Sequence, residues 1–131
     1  MCIKKSAISM LLAATSLCAT NALSVAQTES ALEQNDFNTI GKLLNASHAS
    51  LRDLYEVSCV ELDLATQISV HVGALGARMM GGGFGGSAIV LTPNYLEEEI
   101  VNEVEKAFDR KGFKRPRCFV ASPSAGARID D

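Results

Sequence analysis

Five of the ten glycines in this 131-residue chain fall within six positions, Gly81-Gly-Gly-Phe-Gly-Gly86. Without a Cβ, such a run can turn the chain sharply or bring bare backbone N–H groups against a ligand such as phosphate. Gly81, Gly83 and Gly86 satisfy G-x-G-x-x-G literally. That fingerprint needs a helix directly after it, so that a pyrophosphate can sit on the helix N-terminus. Here the β-branched run Ser87-Ala-Ile-Val-Leu-Thr92 follows instead. A Walker A loop is excluded as well, because no Lys-Ser/Thr pair follows the glycines. Two readings survive. In the plain one, the loop is a wide hairpin connection whose glycines supply positive φ. In the functional one, another segment or a phosphate packs directly on the backbone. Each glycine costs about 0.5–1 kcal/mol relative to alanine where alanine fits. One hairpin needs only one or two of them, and the excess favours close approach. On that reading Gly83→Ala leaves the stability of this chain nearly unchanged and acts only where a partner segment needs the space.

The remaining reactive side chains are scattered. Ser47, His48 and Asp53 are too near one another in sequence for a nucleophilic triad, and read as facing solvent or capping a turn. Asp53 and Asp63 have bases nearby in sequence but no motif around them. Cys2, Cys18, Cys59 and Cys118 include no C-x-x-C pair, and His48 and His71 do not complete a zinc-ligand spacing. The cysteines therefore read as reduced, mostly buried thiols. No catalytic residue and no metal ligand set is assigned.

The elements that must position the glycines are legible from periodicity. Asp36 is a candidate N-cap for a helix whose apolar positions are Phe37, Ile40, Leu44 and Leu51. Ser58 with Glu61 has the form of a capping box, and Leu62, Ala65, Ile68 and Val72 continue a second helix to Gly73. Leu75–Met80 reads as a short strand. Ser87–Thr92 reads as a second, a near-continuous apolar run suited to a buried sheet. Thr92-Pro93 opens a third helix, with Thr as cap and Pro at its first position. Glu97, Glu98 and Glu99 fall in its first turns, where the helix dipole favours acids. Its stripe is Leu96, Ile100, Val104 and Phe108, and Gly112 stops it. A last strand is expected over Arg117–Ala121. The order α-α-β-β-α-β is α+β, and its β-α-β tail resembles half of a ferredoxin-like split unit.

Composition sets the outer limits. The length suits one domain, and 47% hydrophobic with 21% charged residues suits a folded chain. The net charge is −3, with Lys4 and Lys5 the only charges before Glu29. Residues 27–131 therefore carry ten lysines and arginines against fifteen acids, a net −5. That balance excludes nucleic-acid binding driven by phosphate contacts and gives no hold on an anionic membrane. Residues 1–26 stand apart. A basic start at Met1–Lys5, an apolar run over Ser6–Ala19 and the small-x-small Ser24-Val25-Ala26 before Gln27 have the three-part form of an export signal. The run is too short to span a bilayer, which takes about 20 apolar residues. Two parts result: a signal-like segment, 1–26, and a folded domain, 27–131.

Five segments of that domain, in order, resemble one family. Ser47-His-Ala-Ser-Leu-Arg-Asp53, Tyr55-Glu-Val-Ser-Cys59, Glu61-Leu-Asp63, Gly73-Ala-Leu-Gly-Ala-Arg-Met79 with Gly81–Gly86, and the closing Pro123-Ser-Ala-Gly-Ala127 are similar to the C-terminal part of galactokinase, a GHMP kinase. The resemblance implies transfer of the ATP γ-phosphoryl group to the anomeric hydroxyl of galactose, with Mg²⁺. It implies that the third signature motif of the superfamily falls on Gly81, Gly82, Gly83, Phe84, Gly85 and Gly86. There it lines the cleft between two domains and props the phosphate loop, with Arg78 and Ser87 as flanks. Met80 stands where the family usually has Thr. The family's sugar-recognition segment, phosphate loop and catalytic Asp belong to an N-terminal domain that these residues do not contain. The resemblance therefore implies a partner domain, cytoplasmic chemistry and no turnover by this domain alone. The reading from another class is a non-catalytic α+β binding or interaction module, exported if residues 1–26 act as a signal.

Overall fold

A computed structural model describes residues 25–83 and 85–121 of the chain. The signal-like run up to residue 24, Phe84 and the segment Pro123–Ala127 lie outside the described residues. Residues 25–33 form helix α1, followed by α2 (Phe37–Asp53) and α3 (Val60–Val72). Strands β1 (Gly76–Met80) and β2 (Ser87–Leu91) come next. A 3₁₀ turn, Asn94–Leu96, leads into α4 (Glu97–Lys111). The class is α+β, as the sequence pattern predicts, with α1 as an element that periodicity did not single out.

The strands pair antiparallel, Gly76 opposite Leu91 and Met80 opposite Ser87. Helix α3 packs on both strands of this hairpin and on α4, and α2 lies along β1. The core joins Ala74, Ile100, Val104 and Phe108, with Leu64, Ala65, Ile68, Val72, Val90, Leu96 and Phe113 packed on it. The stripe expected on the last helix is therefore the one that builds the core. Phe108 and Phe113 meet edge to face, ring centres 5.7 Å apart, the arrangement their quadrupoles favour.

Caps explain three helix ends. Asp36 accepts the Thr39 N–H at 3.0 Å, starting α2 as expected. Gly73 at φ +127 and Gly112 at φ +70 end α3 and α4 in backbone that side chains disfavour. Three local expectations fail. The Ser58–Glu61 capping box does not form, because the Ser58 hydroxyl donates to Asp63 at 2.6 Å and Cys59 holds the cap position. Pro93 precedes a 3₁₀ turn rather than opening α4, and the Thr92 hydroxyl bonds the Pro93 carbonyl instead of capping. Strand β2 is one-sided, with Ser87 and Ile89 exposed, since among the described residues nothing covers its outer face.

The expected final strand over Arg117–Ala121 is also absent. Residues 113–121 carry no regular structure, and Phe119 and Val120 stand 79% and 69% exposed. A strand is stable only when a neighbour takes its N–H and C=O groups, and none is beside it among the described residues. The segment is tethered to α4 by the Arg115–Glu105 ion pair. The cysteines depart from expectation too: Cys59 is half-buried and Cys118 exposed, because neither lies on the stripes that fill the core.

Candidate functional site

The glycine segment is the connection of the β1–β2 hairpin, and three of its glycines sit in positive-φ backbone: Gly81 at +78°, Gly83 at +86° and Gly85 at +99°. L-residues pay roughly 1–2 kcal/mol for left-handed backbone. The plain reading therefore accounts for these three.

Close approach accounts for more. A Cβ on Gly83 would lie 2.1 Å from the Val57 carbonyl oxygen, inside any permitted contact. The segment packed on the turn is this chain's own α2–α3 connection, which bends there with Glu56 at φ +55. This corrects the expectation for Gly83→Ala: the methyl collides within the domain itself. Gly81, Gly82 and Gly85 differ, since a Cβ on any of them meets nothing within 4 Å among the described residues. Among the described residues, the space on their Cβ side is open. The turn thus has a braced side, against Val57, and an open side.

The flanks are placed by the hairpin register. Ser87 is exposed opposite Met80, itself exposed. The Arg78 Nε–H donates to the Met79 carbonyl at 3.0 Å, which folds the guanidinium along its own strand. Phe84 lies outside the described residues. Among the described residues no group of three or more His, Cys, Asp and Glu is arranged to hold a metal ion. A cleft of about 450 Å³ lies away from the turn, lined by Gln27, Ser30, Asp36, Thr39 and Lys42. It contains none of the expected site residues.

Sequence reasoning missed one feature beneath the turn. His48, expected at the surface, is 6% exposed. Its Nδ1 lies 3.2 Å from the Met79 N–H, its Nε2 3.1 Å from Asp63 Oδ1 and 3.0 Å from the Thr66 hydroxyl. The base beside Asp63 is thus a histidine fifteen positions earlier, not a sequence neighbour. Asn45 takes the Ala77 N–H at 2.9 Å in the same manner. The spacing Asn45-x-x-His48 was the available signal, since it puts two polar side chains on one helix face. Asp53 pairs instead with Arg52, at 2.7 and 2.9 Å, and that guanidinium holds its carboxyl below the ordinary range.

Comparison with known proteins agrees with the architecture. Residues 28–110 match the family described as GHMP kinases C terminal. The chain is 54% identical over 97 residues to a galactokinase of Streptomyces coelicolor, covering 74% of this chain and 25% of that protein. The Lactococcus lactis galactokinase solved with galactose superposes at a TM-score of 0.64 and 37% identity, over 69% of this chain and 24% of that one. The L. major mevalonate kinase solved with R-mevalonate superposes at 0.61 and 32% identity, over 74% and 28%. The chain spans about a quarter of the length of the relatives it matches. The Gly81–Gly86 hairpin falls inside the matched region, between helices and strands arranged as in these kinases. The chain belongs to the GHMP kinases and is a galactokinase-like C-terminal domain of that family.

Proposed function

We propose that this domain supplies one wall of a cleft in which ATP phosphorylates galactose at its anomeric hydroxyl. The observation that carries this reading is the open side of the glycine turn. Backbone at Gly81, Gly82 and Gly85 has no side chain and, among the described residues, no neighbour within 4 Å of where a Cβ would stand. Phosphoryl transfer asks a protein mainly for positioning and charge stabilisation, so N–H groups that can reach phosphate oxygens or a phosphate loop suit it. Open glycine backbone fits the approach of a nucleotide's phosphates. In this reading the nucleotide's phosphates and a second domain hold Mg²⁺. Arg78 and Ser87 flank the turn, and Phe84 completes it. The reaction belongs in the cytoplasm, where ATP and the free sugar meet. No described helix is long and apolar enough to cross a membrane.

On this reading the 131 residues alone do not turn over galactose, because general base, sugar contacts and phosphate loop all come from another domain. The experiment is galactose-dependent ADP release by the chain alone and by the chain joined to a galactokinase N-terminal domain. No release alone and turnover when joined is the expected result. Turnover by the chain alone overturns the need for a partner domain. A folded but inert joined protein overturns the kinase reading.

A further inference from the structure

The buried network under the hairpin forms a closed circuit with the glycine turn. Met79 N–H can only donate, so His48 Nδ1 must be bare to accept it at 3.2 Å. In the neutral ring the single proton then sits on Nε2, facing Asp63 Oδ1 at 3.1 Å. The Thr66 hydroxyl gives its own hydrogen to the Leu62 and Asp63 carbonyls, at 3.0 and 3.1 Å, and turns a lone pair toward Nε2. Asp63 Oδ1 also accepts the Ser58 hydroxyl at 2.6 Å. Ser58 adjoins Val57, whose carbonyl is the atom packed on Gly83. Met79 and Gly83 are thus the two attachment points of the turn, one on the strand that enters it and one on its braced side. Both lead back to His48.

We propose that His48 is the positioning residue of the glycine turn, and that only its neutral form holds the turn in place. A proton on Nδ1 would set two donors against each other and leave the Met79 N–H without an acceptor inside the structure. The charged groups around the ring act from three elements. Asp63 stands on α3, Asp53 and Arg52 at the end of α2, and Arg78 on β1 next to Met79. A proton on Nδ1 reaches the turn through one hydrogen bond, that of the Met79 N–H. That the held turn serves phosphoryl transfer rests on the function proposed above.

The test is amide hydrogen exchange on the whole 131-residue chain, with His48 ring shifts followed in the same samples over roughly pH 5 to 8. Protection of Met79, Gly81 and Gly83 is expected to fall roughly tenfold as His48 protonates, while Val104 and Ala107 on α4 keep theirs. His48→Asn places an uncharged acceptor where Nδ1 stands, and is expected to keep Met79 protected with no pH dependence. His48→Ala is expected to release Met79 and the turn at every pH. If the alanine variant does not fold, the wild-type titration and His48→Asn still decide. Protection of Met79 that ignores the charge of His48, or a loss shared equally by α4, overturns the proposal. Exchange reads the turn without nucleotide, so its failure leaves the kinase reading standing. Failure of the joined protein to phosphorylate galactose leaves the coupling of His48 to the turn standing.

Discussion

The glycine turn divides at the level of single residues, and the division is measurable. At Gly83 an added methyl faces both costs, a φ of +86° and a Val57 oxygen 2.1 Å from the new Cβ. Left-handed backbone contributes roughly 1–2 kcal/mol and overpacking roughly 1–3. Gly83→Ala is therefore expected to destabilise the chain by about 2–5 kcal/mol. Gly82 has neither feature, since among the described residues nothing lies within 4 Å of its Cβ position and its φ is not positive. Gly82→Ala is expected within about 0.5 kcal/mol of the parent, as for an ordinary surface change. Urea unfolding of the two variants side by side decides, and equal costs would remove the brace. If Gly82 faces phosphate, its alanine variant in the joined two-domain protein loses kcat/KM while keeping stability. The sequence announces that these glycines matter but not which does what. Glycine count reports backbone freedom, whereas the Gly83–Val57 contact joins positions 26 residues apart, and no local pattern encodes that meeting.

Among the elements, α2 on β1 is the contact that depends most on missing side chains. A Cβ on Gly41 would stand 2.2 Å from the Leu75 oxygen, and one on Gly76 the same distance from the Gly41 oxygen. The two backbones touch there, which lets Asn45 and His48 reach the Ala77 and Met79 N–H groups of the strand edge that β2 does not pair. Gly41→Ala poses two effects of opposite sign. In a helix interior it gains about 1 kcal/mol of propensity, but here it drives a methyl into backbone that cannot rotate away. The clash wins: at the upper end of the overpacking range, about 3 kcal/mol, it leaves a net loss of about 2 kcal/mol, read by thermal unfolding. A stabilised variant would mean that α2 and β1 are not in backbone contact. Acid reports a second element. Thr39 holds the Asp36 carboxyl below its ordinary value of 3.8, first through its hydroxyl and then through its N–H. A carboxylate lowered on folding stabilises fully above its unfolded pKa, and the contribution is lost as pH falls through the folded one. The α2 cap is thus expected to weaken below about pH 4, and Asp36→Asn to keep the cap while removing that dependence, read by helix content against pH. Asp36 and the α4 stripe were legible because caps and 3.6-residue periodicity are local. The Arg117–Ala121 strand was misread for the opposite reason: β-branched and aromatic content states a preference, while a strand exists only beside a neighbour.

At the scale of the whole molecule, the question is what covers the surface around the turn. Leu54, Tyr55 and Val60 flank the connection that braces Gly83, Met80 enters the turn, and all four are 42–64% exposed. Phe119 and Val120 stand more exposed still. Domains within one chain share interfaces of roughly 600–1,500 Å², and on the proposed function a second domain would pack on this surface. Two forces then compete in the isolated domain. Apolar burial, at about 25 cal/mol per Å², favours self-association. The net charge of −5 over residues 27–131 opposes it, with a reach of about 10 Å at 0.1 M salt and about 3 Å at 1 M. The charge term fades with salt and the apolar term does not, so self-association is expected to rise with ionic strength. Light scattering across that range checks it, alongside fluorescence of a hydrophobic dye. Joining a galactokinase N-terminal domain is expected to abolish both signals, because it covers the same residues. A monomer at every salt concentration with no dye signal would mean that the apolar side chains around the turn are ordinary surface. Dye binding that persists in a joined, active protein would place the partner domain elsewhere.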